Sequence, residues 1–358
     1  MQAASLLDAQ PCRTSVVAPR AGSARSCRCH AVNNPAIVDK KPPYWIGKSG
    51  AVSQAINLAI NNPTLWGFMR AGARKTMIKT AESAGIPWRQ AVEQLRNTPE
   101  LEEFKAQIED TTLQYPDYYH EKFHAYDGGN LDWEATWEFE VAAATTAMRI
   151  FKDDKITSDA ASHALRRSFL DATEDYCEQQ GLAVKSAVDA ACAAGLSTRS
   201  LADRFPGAKV QGLDLSPHFL ALAQLRRRQA EAASPAASTS YLHANAEAMP
   251  LDDRSQDMVA ASYLVHEMPV HGTKGFLKEA HRVLRPGGVI AIVDGDPWSE
   301  VHQKMPLPLA TLMKSTEPWA DEYFSLDLEA AMQEAGFSSI KYVPVNKRHR
   351  VLLGVSQC

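Results

Sequence analysis

From Lys185 to about Gly336 the sequence predicts an α/β domain built on a doubly wound, mostly parallel sheet, and three observations carry that prediction. Strand-length apolar runs alternate with helical patterns over this stretch, as a sheet covered on both faces requires. The preceding stretch, Ala51 to Gly181, is helical in period throughout, so the helices form an appendage before the sheet. Two closing apolar runs are joined by Asn346-Lys347-Arg348 alone, and so short a connection forces them antiparallel.

Taken in order, Asn62-Pro63 breaks a first helix, and a second runs from Thr64 to about Ser83, with Arg70, Arg74, Lys75 and Lys79 as its solvated face. Gly85-Ile86-Pro87 ends it. Thr98-Pro99-Glu100 opens another, with Thr98 as N-cap and acids in the first turn. Longer helices follow near Asp132 to Ile150 and Thr157 to Gln180, the latter stopped by Gly181. Strands are expected at Ser186–Ala190, Lys209–Asp214, Ser238–Asn245, Asp257–Leu264, Gly288–Asp294, Ser339–Val345 and His349–Val355. Helices at Ser197–Phe205, Ser216–Ala233, Gly272–Leu284 and about Leu326–Ala335 fall between them. The organisation is therefore a leader over 1–34, a helical region over 35–181 and the sheet domain over 182–358.

The leader is set apart by composition: residues 1–34 hold four Arg, four Ser and seven Ala, but Asp8 alone among acids. That is the pattern of an organelle transit peptide, and no apolar block long enough for a secretory signal follows the start. Ser26-Cys27-Arg28-Cys29-His30-Ala31 resembles plastid processing regions, which points to the plastid, with the mitochondrion as the alternative the composition also permits. Without the leader the chain keeps 34 basic and 41 acidic residues, a net charge of −7. A nucleic-acid partner is not expected from that balance, since Arg226-Arg227-Arg228 sits in a helical pattern without aromatics beside it. No run approaches the roughly 18 apolar residues of a membrane span. Cys12, Cys27 and Cys29 fall in the leader, and Cys177, Cys192 and Cys358 are too scattered for a disulfide framework or a zinc ribbon.

Chemistry is expected where a doubly wound sheet binds its ligands, at the carboxyl ends of its strands. The first such turn, Asp189-Ala190-Ala191-Cys192-Ala193-Ala194-Gly195-Leu196-Ser197, is made of small residues that admit a ligand close to the backbone. Ser197 or Thr198 would cap the helix that follows. Nineteen residues after Gly195 the second strand ends in Asp214, placed to accept from two ribose hydroxyls. The two turns describe an adenosine site. The G-x-G-x-x-G spacing of a pyrophosphate turn is absent, and the antiparallel closing hairpin departs from a dehydrogenase sheet, so S-adenosylmethionine is favoured over NAD.

At these residues the chain resembles the class I S-adenosylmethionine-dependent methyltransferases, in particular the type-11 domain of quinone-pathway C-methyltransferases and their plastid relatives. Val188, Asp189 and Gly195 match the family's first motif, with Ala191 and Ala193 where glycine is usual. Gln211-Gly212-Leu213-Asp214-Leu215-Ser216 matches the ribose strand, and Ala244-Asn245-Ala246-Glu247-Ala248-Met249-Pro250 the third motif, with Asn245 in place of the usual Asp. Ser262-Tyr263-Leu264-Val265-His266-Glu267 and Arg282-Val283-Leu284-Arg285-Pro286-Gly287-Gly288 complete five motifs in the family's order between about Ala183 and Val355. The resemblance implies a Rossmann-like seven-stranded sheet in the order 3-2-1-4-5-7-6 under an N-terminal helical cap, and methyl transfer to a small, apolar or aromatic acceptor. It also implies a cofactor site of Asp189, Ala191, Cys192, Gly195, Ser197, Asp214, Leu215, Asn245, Ala246 and Tyr263, the asparagine and alanine bordering the adenine. A protein that binds the cofactor without turnover, or an NAD-dependent oxidoreductase, is the competing reading.

The segment from Tyr115 to Asn130 is dense in aromatic and titratable groups. It contains His120-Glu121-x-x-His124, a zinc-peptidase spelling, but Gly128-Gly129 breaks any helix one turn after His124 and no metal is expected. The segment either packs under the helices or, by analogy with plastid relatives, covers the cofactor mouth, where Tyr118, Tyr119, His124 and Tyr126 would meet the acceptor. Methyl transfer needs alignment and exclusion of water more than an obligatory triad. For a phenolic acceptor a base helps, and His266 or Glu267 after the fourth strand is best placed, with His124 behind them. Each has a structural alternative, packing or bonding the backbone near the cofactor. The oligomeric state is not legible.

Overall fold

The computed structural model describes residues 40–48, 54, 58, 62–121, 126–152, 156–233 and 239–357. The leader and His124 lie outside them, as do Cys358 and the helix expected before Asn62. Seven strands, β1 Ser186–Ala190, β2 Lys209–Asp214, β3 Thr239–His243, β4 Gln256–Ser262, β5 Leu284–Gly295, β6 Phe337–Pro344 and β7 His349–Ser356, form one sheet in the order β3-β2-β1-β4-β5-β7-β6. The pairs among β1 to β5 are parallel, and β7 runs antiparallel to both β5 and β6. That is the expected order, with the short Asn346–Arg348 connection supplying the reversed strand.

The helices are α1 Pro63–Ser83, α2 Trp88–Arg96, α3 Glu100–Ile108, α4 Trp133–Ile150 and α5 Ser158–Gln179 before the sheet. Within and beyond it come α6 Leu196–Arg204, α7 Pro217–Ala233, α8 Val270–Val283, α9 Glu300–Gln303, α10 Leu307–Lys314, α11 Ala320–Ser325 and α12 Leu328–Glu334. No helix among the described residues is long and apolar enough to cross a membrane.

Alternation along the strands sorts the core into two faces, because successive side chains leave a strand on opposite sides. Val188, Ala190, Val259, Ala261, Ile290 and Ile292 pack with Phe276, Leu277 and Ala280 of α8 and with α11 and α12. Ala187, Met258, Ala260, Val289 and Ala291 pack on the other face with Leu165, Phe169, Tyr176 and Cys177 of α5 and Leu201 of α6. A third cluster joins Leu101 and Phe104 of α3 to Leu222 and Leu225 of α7, which fastens the helical region to the sheet domain.

Outside the first turn, local expectations needed correction in three places. Thr98 does not cap α3: its hydroxyl donates to the Gln94 carbonyl, and Pro99 occupies the cap position. Arg74 is not part of a solvated face but ion-pairs with Glu138, which is buried on α4 and also accepts from the Trp88 indole. The helix α2 and the short helices α9, α10 and α11 were not anticipated: α2 is only nine residues long, and prolines 297, 306, 308 and 318 interrupt the helical period in the later stretch.

Candidate functional site

A cavity of about 790 Å³ opens at the carboxyl ends of β1, β2, β4 and β5. Its wall includes Ala191, Cys192, Ser197, Asp214, Leu215, Asn245, Ala246 and Tyr263, together with Tyr118, Tyr119, Tyr126, His266 and Glu267. The structure thus gathers in one space groups that the sequence spreads over 150 positions.

At the first turn the backbone enters the left-handed region three times, at Ala191 (φ 56°), Ala193 (φ 45°) and Gly195 (φ 72°). Only the last is a glycine. An alanine in that region carries strain of roughly 1 kcal/mol or more, since its Cβ crowds the following carbonyl. Gly195 is fixed by a different contact, because a Cβ there would run into the Tyr241 ring from β3. Gly212 on β2 likewise leaves room for the turn: a Cβ would fall 2.7 Å from Cys192 Sγ and 2.8 Å from Thr198 Oγ1.

Ser197 and Thr198 are not helix caps. Both hydroxyls donate to Asp189 Oδ2 at 2.6 Å, and Gly195 takes the cap position of α6. Asp189 Oδ1 stays buried with no hydrogen-bond partner among the described residues, and burial, opposed by the two hydroxyls, lifts this carboxyl to about 6. Asp214 is also buried and also lifted to about 6 by burial, although it accepts from the Ala193 N–H at 2.8 Å and the Ser216 N–H at 2.7 Å. These bonds tie Asp214 to the first turn. Asn245 uses Oδ1 to accept from the Glu247 N–H at 2.9 Å, holding the third-motif turn.

The Asp214 carboxylate with lone pairs to spare and the backbone turn beside it fit an adenosine cofactor with a cationic, hydroxyl-bearing middle, while Asp189 stays behind the cavity wall. Asp214, Leu215, Asn245 and Ala246 would hold the nucleoside, with Ala191 to Ser197 along the remainder.

The cap closes over this turn through a few specific bonds. His243 at the end of β3 accepts the Asp110 N–H on Nδ1 (2.9 Å) while Nε2 lies 2.9 Å from the Leu215 carbonyl, which fixes Nε2 as the protonated nitrogen. Tyr118, in a 3₁₀ turn at Asp117–His120, donates to Glu247, and its ring lies against Gly272 of α8, where a Cβ would fall 3.1 Å from it. Asn130 donates to Glu267 at 2.8 Å and accepts from the Ser216 hydroxyl at 2.6 Å, so one residue joins the cap, the loop after β2 and the post-β4 segment. Tyr126 lines the cavity, but its hydroxyl donates to Glu138 and belongs to the network under α1. Of the zinc-peptidase spelling only His120 and Glu121 are described: His120 ends the 3₁₀ turn and Glu121 is extended (φ −67°, ψ 148°).

Beyond the turn the cavity holds an ionisable group of its own. His266 Nδ1 lies 2.9 Å from Asp294 Oδ1, with the imidazole side chain 16% exposed and the carboxylate 4%. Burial works against the imidazolium, but the charge and hydrogen bond of Asp294, together with the charges of Glu317 and Glu267, outweigh it and hold His266 up at about 10; in return Asp294 is held down. Glu267 is lifted by burial to about 7, against the pull of His266 and Asn130. Glu317, from the segment between α10 and α11, also lines this end and is raised by burial. Asp294 and Glu317 were not anticipated. The end of a predicted strand at Asp294 was a usable signal; nothing local marks Glu317.

A family model described as a methyltransferase domain matches residues 188–292. An uncharacterized methyltransferase from Synechocystis is 32% identical over 154 residues, which cover 43% of this chain and 67% of that protein. A demethylmenaquinone methyltransferase from Chlorobaculum tepidum is 31% identical over 182 residues, covering 46% and 70%. Among solved structures, a SAM dependent methyltransferase from Aquifex aeolicus is similar at 20% identity and a TM-score of 0.40, over 51% of this chain and 88% of that one.

Proposed function

This chain belongs to the class I S-adenosylmethionine-dependent methyltransferases, and from that premise we propose that it methylates a small, apolar or aromatic acceptor bearing an acidic X–H group. The observation that carries the proposal is Glu267, a buried carboxyl lifted to about 7 in the cavity that also holds the Asp214 turn. The cofactor, when bound, supplies a methyl group already activated on a sulfonium. Everything else falls to the chain. Tyr118 and Tyr119 bound the acceptor space and exclude water, with Trp319 and Phe324 completing its aromatic wall. Glu267 accepts the acceptor's proton, a task for which a pKa near the working pH is the best compromise. His266, kept protonated by Asp294, stabilises the anion that this leaves. The demethylmenaquinone methyltransferases among the relatives support a ring-bearing acceptor.

The test is incubation with methyl-labelled S-adenosylmethionine and a panel of phenols and hydroquinones. Label is expected in an acceptor, with a rate that rises as pH passes upward through about 7 and Glu267 ionises. Glu267→Gln should lower that rate about 100-fold or more, the usual range for a general base, and flatten the rise. Transfer that is indifferent to both would refute the assignment.

The leader composition supports a plastid destination for the mature chain, net −7 without residues 1–34. A fusion of residues 1–40 to a fluorescent protein should enter the plastid; cytosolic or mitochondrial fluorescence would contradict this.

A further inference from the structure

The outer face of α1 combines apolar bulk with positive charge. Leu65, Phe68, Gly72, Lys75, Thr76 and Lys79 recur at helical spacing within about 100° of arc, and all six are exposed. Leu65 is 50% exposed and Phe68 74%, two large apolar side chains one turn apart toward the N-terminal end. Lys75 and Lys79 continue the same stripe toward the C-terminal end. A Cβ at Gly72, between the two pairs, would meet nothing within 4 Å, so no described residue lies over the middle of this face. The opposite face is the one that packs. Ala81 is buried with Trp88, Val92 and Val141, Arg74 pairs with Glu138, and Met77 reaches the cavity wall. One side of α1 therefore borders the cavity and the other is open.

Apolar exposure alone would suit many partners, and charge narrows the choice. The chain holds 42 acids in 358 residues, yet none occurs from Ser49 to Ala81. Lys75 and Lys79 pair with no described acid, whereas Lys274, Lys304 and Lys314 each lie against one, at 2.7, 2.6 and 2.6 Å. The stripe is thus positive in a chain whose net charge is −7 without the leader. A matching partner carries negative charge in a layer that adjoins an apolar one. An anionic lipid surface has this form, with phosphates outside and acyl chains roughly 5–10 Å deeper. From Phe68 to Lys75 the helix rises about 10 Å, so a tilted α1 spans both layers. A polyanion without an apolar layer would match the lysines and leave Leu65 and Phe68 in water.

We infer that the outer face of α1 docks this chain on an anionic lipid surface. Leu65 and Phe68 enter the acyl boundary, and Lys75 and Lys79 bind the phosphates. Met77 then places the cavity wall one helix away from the lipid. The docking rests on this surface and not on the chemistry assigned to the cavity.

The experiment sediments the full chain with vesicles of phosphatidylcholine alone and of phosphatidylcholine with about 30 mol% phosphatidylglycerol. Binding is expected to the second kind only, and to weaken as salt is raised. The double changes Leu65→Ser with Phe68→Ser, and Lys75→Gln with Lys79→Gln, should each weaken it at least tenfold. A lysine at such a surface contributes about fivefold, and a buried apolar side chain more. Unchanged melting temperatures show that both variants are folded, as substitutions at exposed positions should be. The leader arginines are a rival source of attraction, so Arg13, Arg20, Arg25 and Arg28 are changed together to Gln in a further variant, which should bind within about threefold of wild type. No binding to the anionic vesicles, equal binding to both kinds, or loss in the leader variant with none in the α1 variants overturns the inference. So does a dimer in sedimentation equilibrium that the Leu65 and Phe68 changes convert to monomer, which would give the face to a second copy.

Discussion

The two ends of the cavity are built on opposite plans. At the cofactor end each carboxylate is bound by its own neighbours: Asp189 takes the hydroxyls eight and nine residues on, and Asp214 the backbone N–H of Ser216 and of the adjoining turn. At the Glu267 end, the proposed acceptor side, the ionisable groups come from segments remote in sequence: Asn130 reaches Glu267, and Asp294 reaches His266. Glu317, from the segment between α10 and α11, adds its charge to the His266 side of the same wall. A site made of local bonds is rigid before any ligand arrives; a site made of distant segments depends on the cap being in place. The difference teaches where variation in specificity can enter without disturbing the cofactor.

The strongest way to break this comparison is to remove a cap side chain. Tyr119→Ala should lower methyl transfer by about 30-fold or more, because the acceptor space opens to water, while S-adenosylhomocysteine affinity falls less than about threefold. If the melting temperature drops in step with activity, the segment packs structurally and the division into two ends fails. A smaller effect sharpens the other end. Ala191→Gly should stabilise the chain by roughly 0.5–1 kcal/mol, the relief of a left-handed alanine offset by glycine's extra freedom when unfolded. Ala190→Gly, in the adjoining strand, should destabilise it by a similar amount. Denaturant melts of the two variants decide; if both lose stability equally, the turn carries no strain.

The same division explains what the sequence disclosed. The bounds of β1 and β2 were legible to the residue, and so was Asp214, because a strand that ends in an acid beside a turn of small residues is a local pattern. The left-handed backbone at Ala191 and Ala193 could be suspected only from the glycines expected there. Ser197 and Thr198 have the composition of helix caps, and only the fold shows that a buried Asp189 claims both hydroxyls. Local spacing could not place Tyr126, whose hydroxyl is drawn to Glu138 in the network under α1. Nor could it find the Asn130 bridge or the His243 clamp, since each acts on a partner far along the chain.

The central claim is that the Asp214 turn holds the adenosine cofactor, and calorimetric titration with S-adenosylhomocysteine tests it most directly. Asp214→Ala should weaken binding at neutral pH by about 1.5–3 kcal/mol, the usual value of hydrogen bonds to a charged acceptor. Burial lifts Asp214 to about 6, so the wild-type carboxylate takes up a proton as pH falls through that value. Wild-type affinity should therefore decline there, and the Asp214→Ala affinity should decline less. Equal affinity of the two proteins at neutral pH would contradict the account.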